Sequence, residues 1–392
     1  MAFYSAIEPV LPEENHPDLE DLAFSLVTAT SSLAGQLHPI IRDGVGDLVR
    51  SMNCYYSNLI EGHNTLPRDI ERALAKDYSP EPQKRNLQLE AVAHIEVQRR
   101  IDSGSDEKAE PVSIAYLCWL HREFCSRLPE ELLWVENPDT GERLPIVPGE
   151  LRTRTVKVGL HVPPSGENLR LSLARFEQAY TAPIAKFRKI IAVAAAHHKF
   201  LWIHPFLDGN GRVARLMVHA MFNRLGIGSS LWSVSRGLAR SVAEYQALLM
   251  AADRPRDNDY DGRGSLSEQA LVDFCGFFLR VSLDQVRFME SILDPGSMLR
   301  RIELYCRDEI EAGRLPKSSY AVLREVVLSG ELERGRVRSI VDLQERAARN
   351  ITSALVAKRL LISDSPRAPL RLGFPTEAVE RWFPSLYPAT GL

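Results

Sequence analysis

Apolar residues recur every three to four positions along most of the chain, which is the spacing that places them on one face of an α-helix. This pattern predicts an amphipathic helix at 18–34 and a second at about 40–60, which Gly62 ends. Further helices are predicted at 86–100, 114–128, 168–180, 184–203, 213–225, 241–252 and 266–292. The chain is therefore predicted to be mainly helical, in the all-α class.

A different pattern interrupts the helices between residues 142 and 164. Residues 153–158 (TRTVKV) alternate and are partly β-branched, and proline and glycine occur on both sides. Alternation bounded by turn residues is typical of short strands. It predicts a small β-hairpin inserted in a helical domain.

The pattern changes again after the Asp-Pro-Gly sequence at 294–296. Short helical patterns follow at 299–311, 320–329, 337–343 and 347–361, and the chain then turns into an extended segment at 370–372. Helices followed by a small extended wing predict a winged helix-turn-helix module. We therefore divide the chain into an N-terminal helical region (1–110), a catalytic domain (111–295) and a winged-helix-like domain (296–392).

Composition limits the class of protein. Hydrophobic residues make up 45% and charged residues 25%, which are ordinary values for a globular protein. A net charge of −3 gives the whole chain no nucleic-acid or membrane signature. There is no apolar run of membrane-spanning length and no signal-peptide pattern, and the five cysteines form no Cys-x-x-Cys pair. We expect a cytoplasmic protein with reduced thiols and no membrane partner.

The run at 204–215, HPFLDGNGRVAR, combines residues suited to holding a polyphosphate beside a base. His204 can accept a proton near neutral pH, and Asp208 offers the oxygen ligand that Mg²⁺ prefers. Gly209 and Gly211 permit positive φ angles, so that successive N–H groups can form an anion-binding nest.

Two arginines extend this run onto the helix that follows. Arg212 and Arg215 are spaced i, i+3, so they are neighbours on one face and can bind phosphate oxygens. The N-terminus of the same helix adds its partial positive charge. Together these features favour removal of a proton from a hydroxyl that attacks a nucleotide phosphate.

The run also resembles the signature of the Fic family, His-x-Phe-x-Asp/Glu-Gly-Asn-Gly-Arg-x-x-Arg, at every fixed position. Most characterised members transfer AMP from ATP to a hydroxyl side chain of a protein. The resemblance implies a Fic-type helical core with ATP as substrate and Mg²⁺ as cofactor. The acceptor would be a Ser, Thr or Tyr hydroxyl of a target protein or of the chain itself. It assigns His204 as the base, Asp208 as the metal ligand, Gly209, Asn210 and Gly211 as the anion hole, and Arg212 and Arg215 as ligands of the β- and γ-phosphates.

An upstream segment fits the inhibitory pattern of the same family, Ser/Thr-x-x-x-Glu-Gly/Asn. Ser57, Glu61 and Gly62 occupy its fixed positions. A glutamate paired with Arg215 would occupy a phosphate ligand and place negative charge where phosphate must bind. The alternative is a helix end with an exposed glutamate before a capping glycine.

Three further assignments follow from the resemblance. Segment 148–164 resembles the family's flap, whose residues Thr155, Val156 and Lys157 would dock an extended target segment by main-chain hydrogen bonds. The alternative is a hairpin that only covers the core. Tyr245 lies where family members often have aromatic residues beside the adenine. His197 and His198 match no motif position, and we expect them to be structural.

Other functions fit parts of the same sequence. Removal of AMP from a modified protein would use the same residues, with Glu61 positioning a water. Phosphoryl transfer, as in Doc relatives, is less favoured, because those relatives depart from the Gly-Asn-Gly sequence that this chain keeps. A transferase for another nucleotide is also left open.

A DNA-binding regulator with a Fic sensor core is an alternative of another class. It is motivated by Arg346, Arg349, Lys358 and Arg359 around the helix at 347–361. Residues 298–381 contain 16 Lys+Arg and 12 Asp+Glu, a net charge of +4. This excess is small for phosphate-driven binding. A protein contact, including a homodimer, is therefore favoured over DNA for this module.

Overall fold

The part of the chain described by the computed structural model (6–14, 16–137, 140–227 and 229–388) consists mainly of helices joined by short loops. Its elements are α1 (Pro17–Gln36), α2 (Pro39–Ile60), α3 (Pro67–Leu74), α4 (Pro82–Asp102), α5 (Ile114–Cys125), β1 (Trp134–Glu136), β2 (Arg143–Pro145), α6 (Glu167–Thr181), α7 (Lys186–Ile203), α8 (Asn210–Arg224), α9 (Val234–Arg240), α10 (Val242–Ala252), α11 (Glu268–Leu293), α12 (Pro295–Glu311), α13 (Ser319–Ser329), β3 (Glu331–Leu332), α14 (Val337–Val341), α15 (Glu345–Ala357), β4 (Leu361–Ile362), β5 (Leu370–Leu372) and α16 (Thr376–Trp382). The all-α class is confirmed. Helices α3, α9 and α16 were not predicted.

The chain forms two compact units, of which the larger comprises the described residues within 6–29, 53–229 and 233–285. Helix α8 lies at its centre and packs against α4, α5 and α7. The run Ile190–Phe200 of α7 is buried on every side, which explains its alanine-rich sequence. The core of α8 includes two arginines, Arg212 and Arg215, with exposed fractions of 5% and 2%. Because buried charges require partners, both guanidinium groups must be paired within this unit.

A small antiparallel hairpin is present, but it lies earlier than predicted. Strands β1 and β2 pair from Trp134↔Pro145 to Glu136↔Arg143. The segment predicted to alternate, 153–158, forms no strand, and its only described bridge joins Val158 to His161. The cause is Arg152, whose side chain turns inward and holds this backbone to neighbouring carbonyl groups instead of to another strand.

The smaller unit comprises the described residues within 30–52, 230–232 and 286–388. Asp294 caps α12 by accepting a hydrogen bond from the N–H of Ser297, and Pro295 occupies the first turn, so the break predicted at 294–296 is a helix start. Helix α12 packs against α13 and α16. The elements α13, β3, α14, α15, β4 and β5 follow in that order, and the three strands form an antiparallel sheet ordered β3-β5-β4. The winged-helix assignment and the three-domain division stay predictions.

No helix within the described residues is long and apolar enough to cross a membrane.

Candidate active site

The loop between α7 and α8 carries His204 in a left-handed backbone conformation. Its φ and ψ angles are 49° and 62°, which few residues other than glycine adopt. The N–H of His204 donates to the carbonyl of Phe200 (2.9 Å), so the residue caps α7. Gly209 (φ 76°) makes the second left-handed turn and caps the start of α8. The two turns aim the N-terminus of α8 into the space beside His204.

Asn210 holds this loop closed through its side chain. The amide donates to the carbonyl of Phe206 (2.9 Å), and its oxygen accepts from the N–H of Phe206 (3.0 Å). Asparagine can do both at once because its side chain has a donor and an acceptor. The side chain of Asn210 is thus used inside the loop, and only its backbone N–H can contribute to the predicted anion hole.

The ring of Phe206 packs against the ring of His121. The two rings are stacked, with centroids 4.0 Å apart and an interplanar angle of 3°. His121 Nδ1 in turn accepts from the N–H of Gly149 (2.8 Å), which fixes the orientation of its ring. The loop is therefore packed rigidly on its inner side.

Arg152 fixes His204 from the side of the predicted flap. Its Nε donates to the carbonyl of His204 (2.7 Å), and the backbone N–H of Arg152 donates to the carbonyl of Pro205 (2.9 Å). Burial first, and then the charge of Arg152, lower the pKa of His204 to about 4. At neutral pH the imidazole is therefore uncharged and able to accept a proton.

Asp208 is exposed, and its carboxylate has no hydrogen bond or ion pair with any other described residue. No cluster of three or more metal-ligating side chains occurs in the described parts of the chain. A single available carboxylate fits Mg²⁺, which usually takes one or two carboxylates and completes its octahedron with waters and substrate phosphates. Asp208 could hold the ion in this way.

Arg215 is held by the segment that fits the inhibitory pattern. Its Nη2 donates to Glu61 Oε1 (2.6 Å) and to the carbonyl of Ser57 (3.0 Å), and its Nε donates to Ser57 Oγ (2.8 Å). Burial raises the pKa of Glu61, but the charges of Arg215 and Arg212 outweigh burial and hold that pKa below its usual value. Glu61 is therefore an anion at neutral pH.

The carboxylate of Glu61 lies directly over Gly211, on the first turn of α8. A Cβ at Gly211 would overlap Glu61 Oε1 and also approach Arg215 Nη1. Gly211 does not adopt a positive φ angle, so our expectation of a nest with two left-handed glycines is wrong for this residue. Glycine is required at this position because the absence of a side chain lets an anion approach the backbone closely.

Arg212 is bound by Glu90 on α4, a residue that the sequence did not single out, and His63 lies beside this ion pair. His63 Nδ1 is 2.8 Å from Glu90 Oε2, to which its proton is donated, because an ionised carboxylate only accepts. Since Nδ1 carries that proton, it does not accept from Nη2 of Arg212, 2.9 Å away, and Glu90 is the partner of both side chains. The hydrogen bond to Glu90 raises the pKa of His63 despite partial burial. Glu90 thus binds both Arg212 and the side chain of His63, which lies two residues after Glu61.

The remaining predicted residues lie as follows. Tyr245 is buried, with 4% exposure, and its hydroxyl is 2.8 Å from His197 Nε2, and its place beside an adenine stays a prediction. His197 and His198 are fully buried, and His198 Nε2 lies 2.9 Å from Asp253 Oδ1, as expected for structural histidines. The flap residues form no strand; Thr155 and Lys157 are exposed and Val156 is half-buried.

Comparison with known protein families shows which family the region around this loop matches. Residues 111–222 match the profile of the Fic/DOC family, and the match includes the whole run at 204–215. The chain carries a Fic domain. The matched region covers α5 to α8 and contains His204, Gly209, Gly211 and both arginines.

The chain is similar to two curated relatives over part of its length. The chain is 31% identical over 174 residues to protein adenylyltransferase Fic of Nematostella vectensis, covering 44% of this chain and 37% of that protein. It is 41% identical over 83 residues to protein adenylyltransferase Fic of Drosophila erecta, covering 21% of this chain and 17% of that protein. The aligned part thus spans 37% of the length of the first relative and 17% of the second.

Solved structures support the fold over a larger part of the chain. A Fic family protein from Desulfovibrio desulfuricans G20 matches with a TM-score of 0.54 and 18% identity, covering 93% of this chain and 98% of that one. A Fic domain containing signaling protein from Bacteroides thetaiotaomicron VPI-5482 matches with a TM-score of 0.52 and 18% identity, covering 70% and 97%. These likenesses show the fold, and they confirm the predicted Fic helical core.

The functional residues missed by sequence analysis share one property. Arg152, His63, Glu90 and His121 each act on the Fic loop or its arginines from outside the run at 204–215. No local pattern distinguishes a charged residue that will be buried from one that will be exposed. Only the pairing across the fold identifies them.

Proposed function

We propose that the protein is an adenylyltransferase that moves AMP from ATP to a Ser, Thr or Tyr hydroxyl of a target protein, and also to its own side chains. We further propose that Glu61 holds this activity in check. The proposal takes its reaction class from the Fic domain and from relatives named protein adenylyltransferase Fic. Its detail rests on the geometry around Gly211.

The observation that carries the proposal is the position of the Glu61 carboxylate, which lies against Gly211 on the first turn of α8. An anion already occupies the cradle formed by Gly211 and Arg215, with the glycine giving it room and the arginine giving it charge. A site that accommodates one anion at a helix N-terminus is suited to phosphate. Glu61 therefore stands where a phosphate oxygen of ATP would bind.

The chemistry follows from His204 and the cradle. The neutral imidazole takes the proton of the attacking hydroxyl, the hydroxyl oxygen bonds to the α-phosphorus, and the bond from the α-phosphorus to the bridging oxygen breaks to release pyrophosphate. Arg215 and Arg212 neutralise charge on the leaving phosphates. Held by Asp208, Mg²⁺ would supply further positive charge to the phosphate oxygens.

Inhibition follows from competition for the same partner. Two anions cannot share Nη2 of the buried Arg215 and the space over Gly211 without repulsion. ATP then binds only in a pose in which its α-phosphate is misplaced for attack. Small misplacement is enough to stop the reaction, because attack requires alignment with the departing group.

The position of the transferred label tests the reaction class. Incubation of the Glu61→Gly protein with ATP labelled in the α-phosphate is expected to label the protein, whereas ATP labelled in the γ-phosphate is not. Mass spectrometry should show an adduct the size of one AMP on a hydroxyl side chain. Transfer of the γ-label would instead identify a kinase and refute AMP transfer.

The pH dependence of the reaction tests the base. Because burial and Arg152 lower the pKa of His204 to about 4, its base form persists until the pH falls through that value. The acid limb of kcat/KM, which reports the free enzyme, is expected well below the ordinary histidine value of about 6.5. Activity of Glu61→Gly should thus change little between about pH 5 and 7 on this account. A midpoint near the ordinary value would show that His204 is not held neutral by its surroundings.

A further inference from the structure

We propose that the exposed face of α15, in the smaller unit, is a binding surface for duplex DNA. The proposal concerns a function separate from AMP transfer and does not depend on it. It rests on the side chains that α15 leaves exposed, on the cations beside them, and on the order of the elements around them.

Helix α15 has one apolar side and one polar side. Ala348, Ile351 and Leu355 are buried, with exposed fractions of 5%, 3% and 0%, and they attach the helix to its neighbours. The outward positions are spaced three, four and seven residues apart, so they form one stripe along the helix. The exposed residues of this stripe are Arg346, Arg349, Asn350 and Ser353.

The chemistry of the stripe suits the edges of base pairs. Arginine can bind guanine through two hydrogen bonds, asparagine can bind adenine in the same manner, and serine is a donor or acceptor to several bases. A helix with its side chains is about 10–12 Å wide, which fits a major groove about 12 Å wide. The 13 residues of α15 thus provide a helix of suitable width that carries base-reading groups on its open side.

Cations flank the stripe on both neighbouring elements. Helix α14 contacts α15, and β4 contacts α15 and pairs with β5. Arg338 on α14 and Arg367 in the loop between β4 and β5 are exposed, and neither forms an ion pair with another described residue. Arginine contacts to phosphates outside the groove-reading helix fix the register and orientation of a protein on the duplex, and these two side chains are available for that role.

Positive charge is concentrated around α15, so that the segment 334–371 has a higher net charge than the longer segment 298–381 that contains it. Residues 334–371 contain nine Lys+Arg and three Asp+Glu, a net charge of +6, whereas the entire chain has −3. The only acidic residue on the helix itself, Glu345, is paired with Arg349 in an exposed ion pair. Such pairs are weakly held, so Arg349 can exchange this carboxylate for a phosphate or a base.

The same face is poorly suited to a protein partner. Stable protein interfaces have an apolar or aromatic centre and are depleted of charge there. The stripe instead presents two arginines, an amide and a hydroxyl. These observations favour DNA over the protein contact that net charge alone had favoured.

The test is fluorescence anisotropy of a labelled random-sequence duplex titrated with the full chain at several salt concentrations. Binding is expected, with affinity that falls as salt rises between about 50 and 200 mM. If Arg338, Arg346, Arg349 and Arg367 each neutralise a phosphate, the slope of log K against log salt is expected to be about −3.6. The double variant Arg346→Ala/Arg349→Ala should bind at least about tenfold more weakly and reduce the slope by about 2.

A charge-matched control separates this surface from general electrostatic attraction. Arg300 and Arg307 on α12 are exposed, and Arg300→Ala/Arg307→Ala removes the same charge from the same unit. This control and His204→Ala are expected to bind DNA as the unmodified protein does. The proposal is overturned if the chain does not bind duplex DNA at low salt, or if the two double variants lose the same affinity. Melting temperatures of both variants verify that these exposed substitutions leave the fold intact.

Discussion

His204→Ala is expected to lower AMP transfer by about 10²–10⁴-fold, the usual loss when a general base is removed. The neutral imidazole of His204 is the group that we propose takes the proton of the attacking hydroxyl, and its loop is fixed by Arg152, Phe206 and Asn210. Those contacts involve the backbone of His204 or residues beside it, so the substitution removes the base and leaves the loop. The measurement is transfer of α-labelled ATP, made in the Glu61→Gly background so that the starting rate is high.

The affinity for ATP provides the control. The cradle from Gly209 to Arg215 does not use the imidazole, so His204→Ala should bind ATP with nearly unchanged affinity and melt at nearly the same temperature. His204→Asn keeps a polar side chain that cannot accept a proton near neutral pH, and it should be as inactive as the alanine variant. Near-normal transfer by either folded variant would exclude His204 as the base.

Glu61→Gly is expected to raise auto-modification well above the level of the unmodified protein. The substitution removes the carboxylate from the space over Gly211 and releases Nη2 of Arg215 for a phosphate. Arg215 keeps its contacts with Ser57, so its guanidinium remains in place beside the cradle. The rate of incorporation of α-labelled AMP, compared at equal protein concentration, measures the effect.

Three further variants separate the causes of this activation. Glu61→Gln keeps the bulk and removes the charge, so an increase smaller than that of Glu61→Gly would show that both contribute. Arg215→Ala should not activate, because it removes the phosphate ligand together with the clamp. The double variant Glu61→Gly/His204→Ala should be inactive. A folded Glu61→Gly protein no more active than the unmodified chain would contradict inhibition, and the segment at 57–62 would then be only the end of a helix.

The sequence predicted the centre of the site because that centre is local. His204, Asp208, the two glycines and both arginines lie within one short run, which also contains the left-handed residues His204 and Gly209 of the loop that joins α7 to α8. The pairing of Glu61 with Arg215 spans 154 residues, and only the family resemblance indicated it. The structure has this pairing with the geometry of a direct hydrogen bond.

What could not be predicted depends on burial. Arg152 belongs to an alternating segment that predicted an exposed strand edge, yet its guanidinium is buried and binds backbone carbonyls. The contacts of Tyr245, whose ring packs near Phe274 and whose hydroxyl contacts His197, could not be predicted from its position in the sequence. Glu90 is an ordinary helix residue by pattern, and its role follows only from the buried Arg212 lying beside it. In each case the environment of the side chain, and not its type or spacing, decides its role.

Gly211 has a consequence for how such a protein can change by mutation. Any larger residue there would displace the carboxylate of Glu61, which by itself would favour an unregulated enzyme. The same side chain would fill the room that a phosphate needs, so the enzyme would lose its substrate along with its restraint. In a genetic selection for uncontrolled activity, escape alleles should therefore arise at Glu61 and never at Gly211. A single substitution of Gly211 therefore cannot produce an uninhibited enzyme, because the change that removes inhibition by Glu61 also removes the activity that Glu61 inhibits.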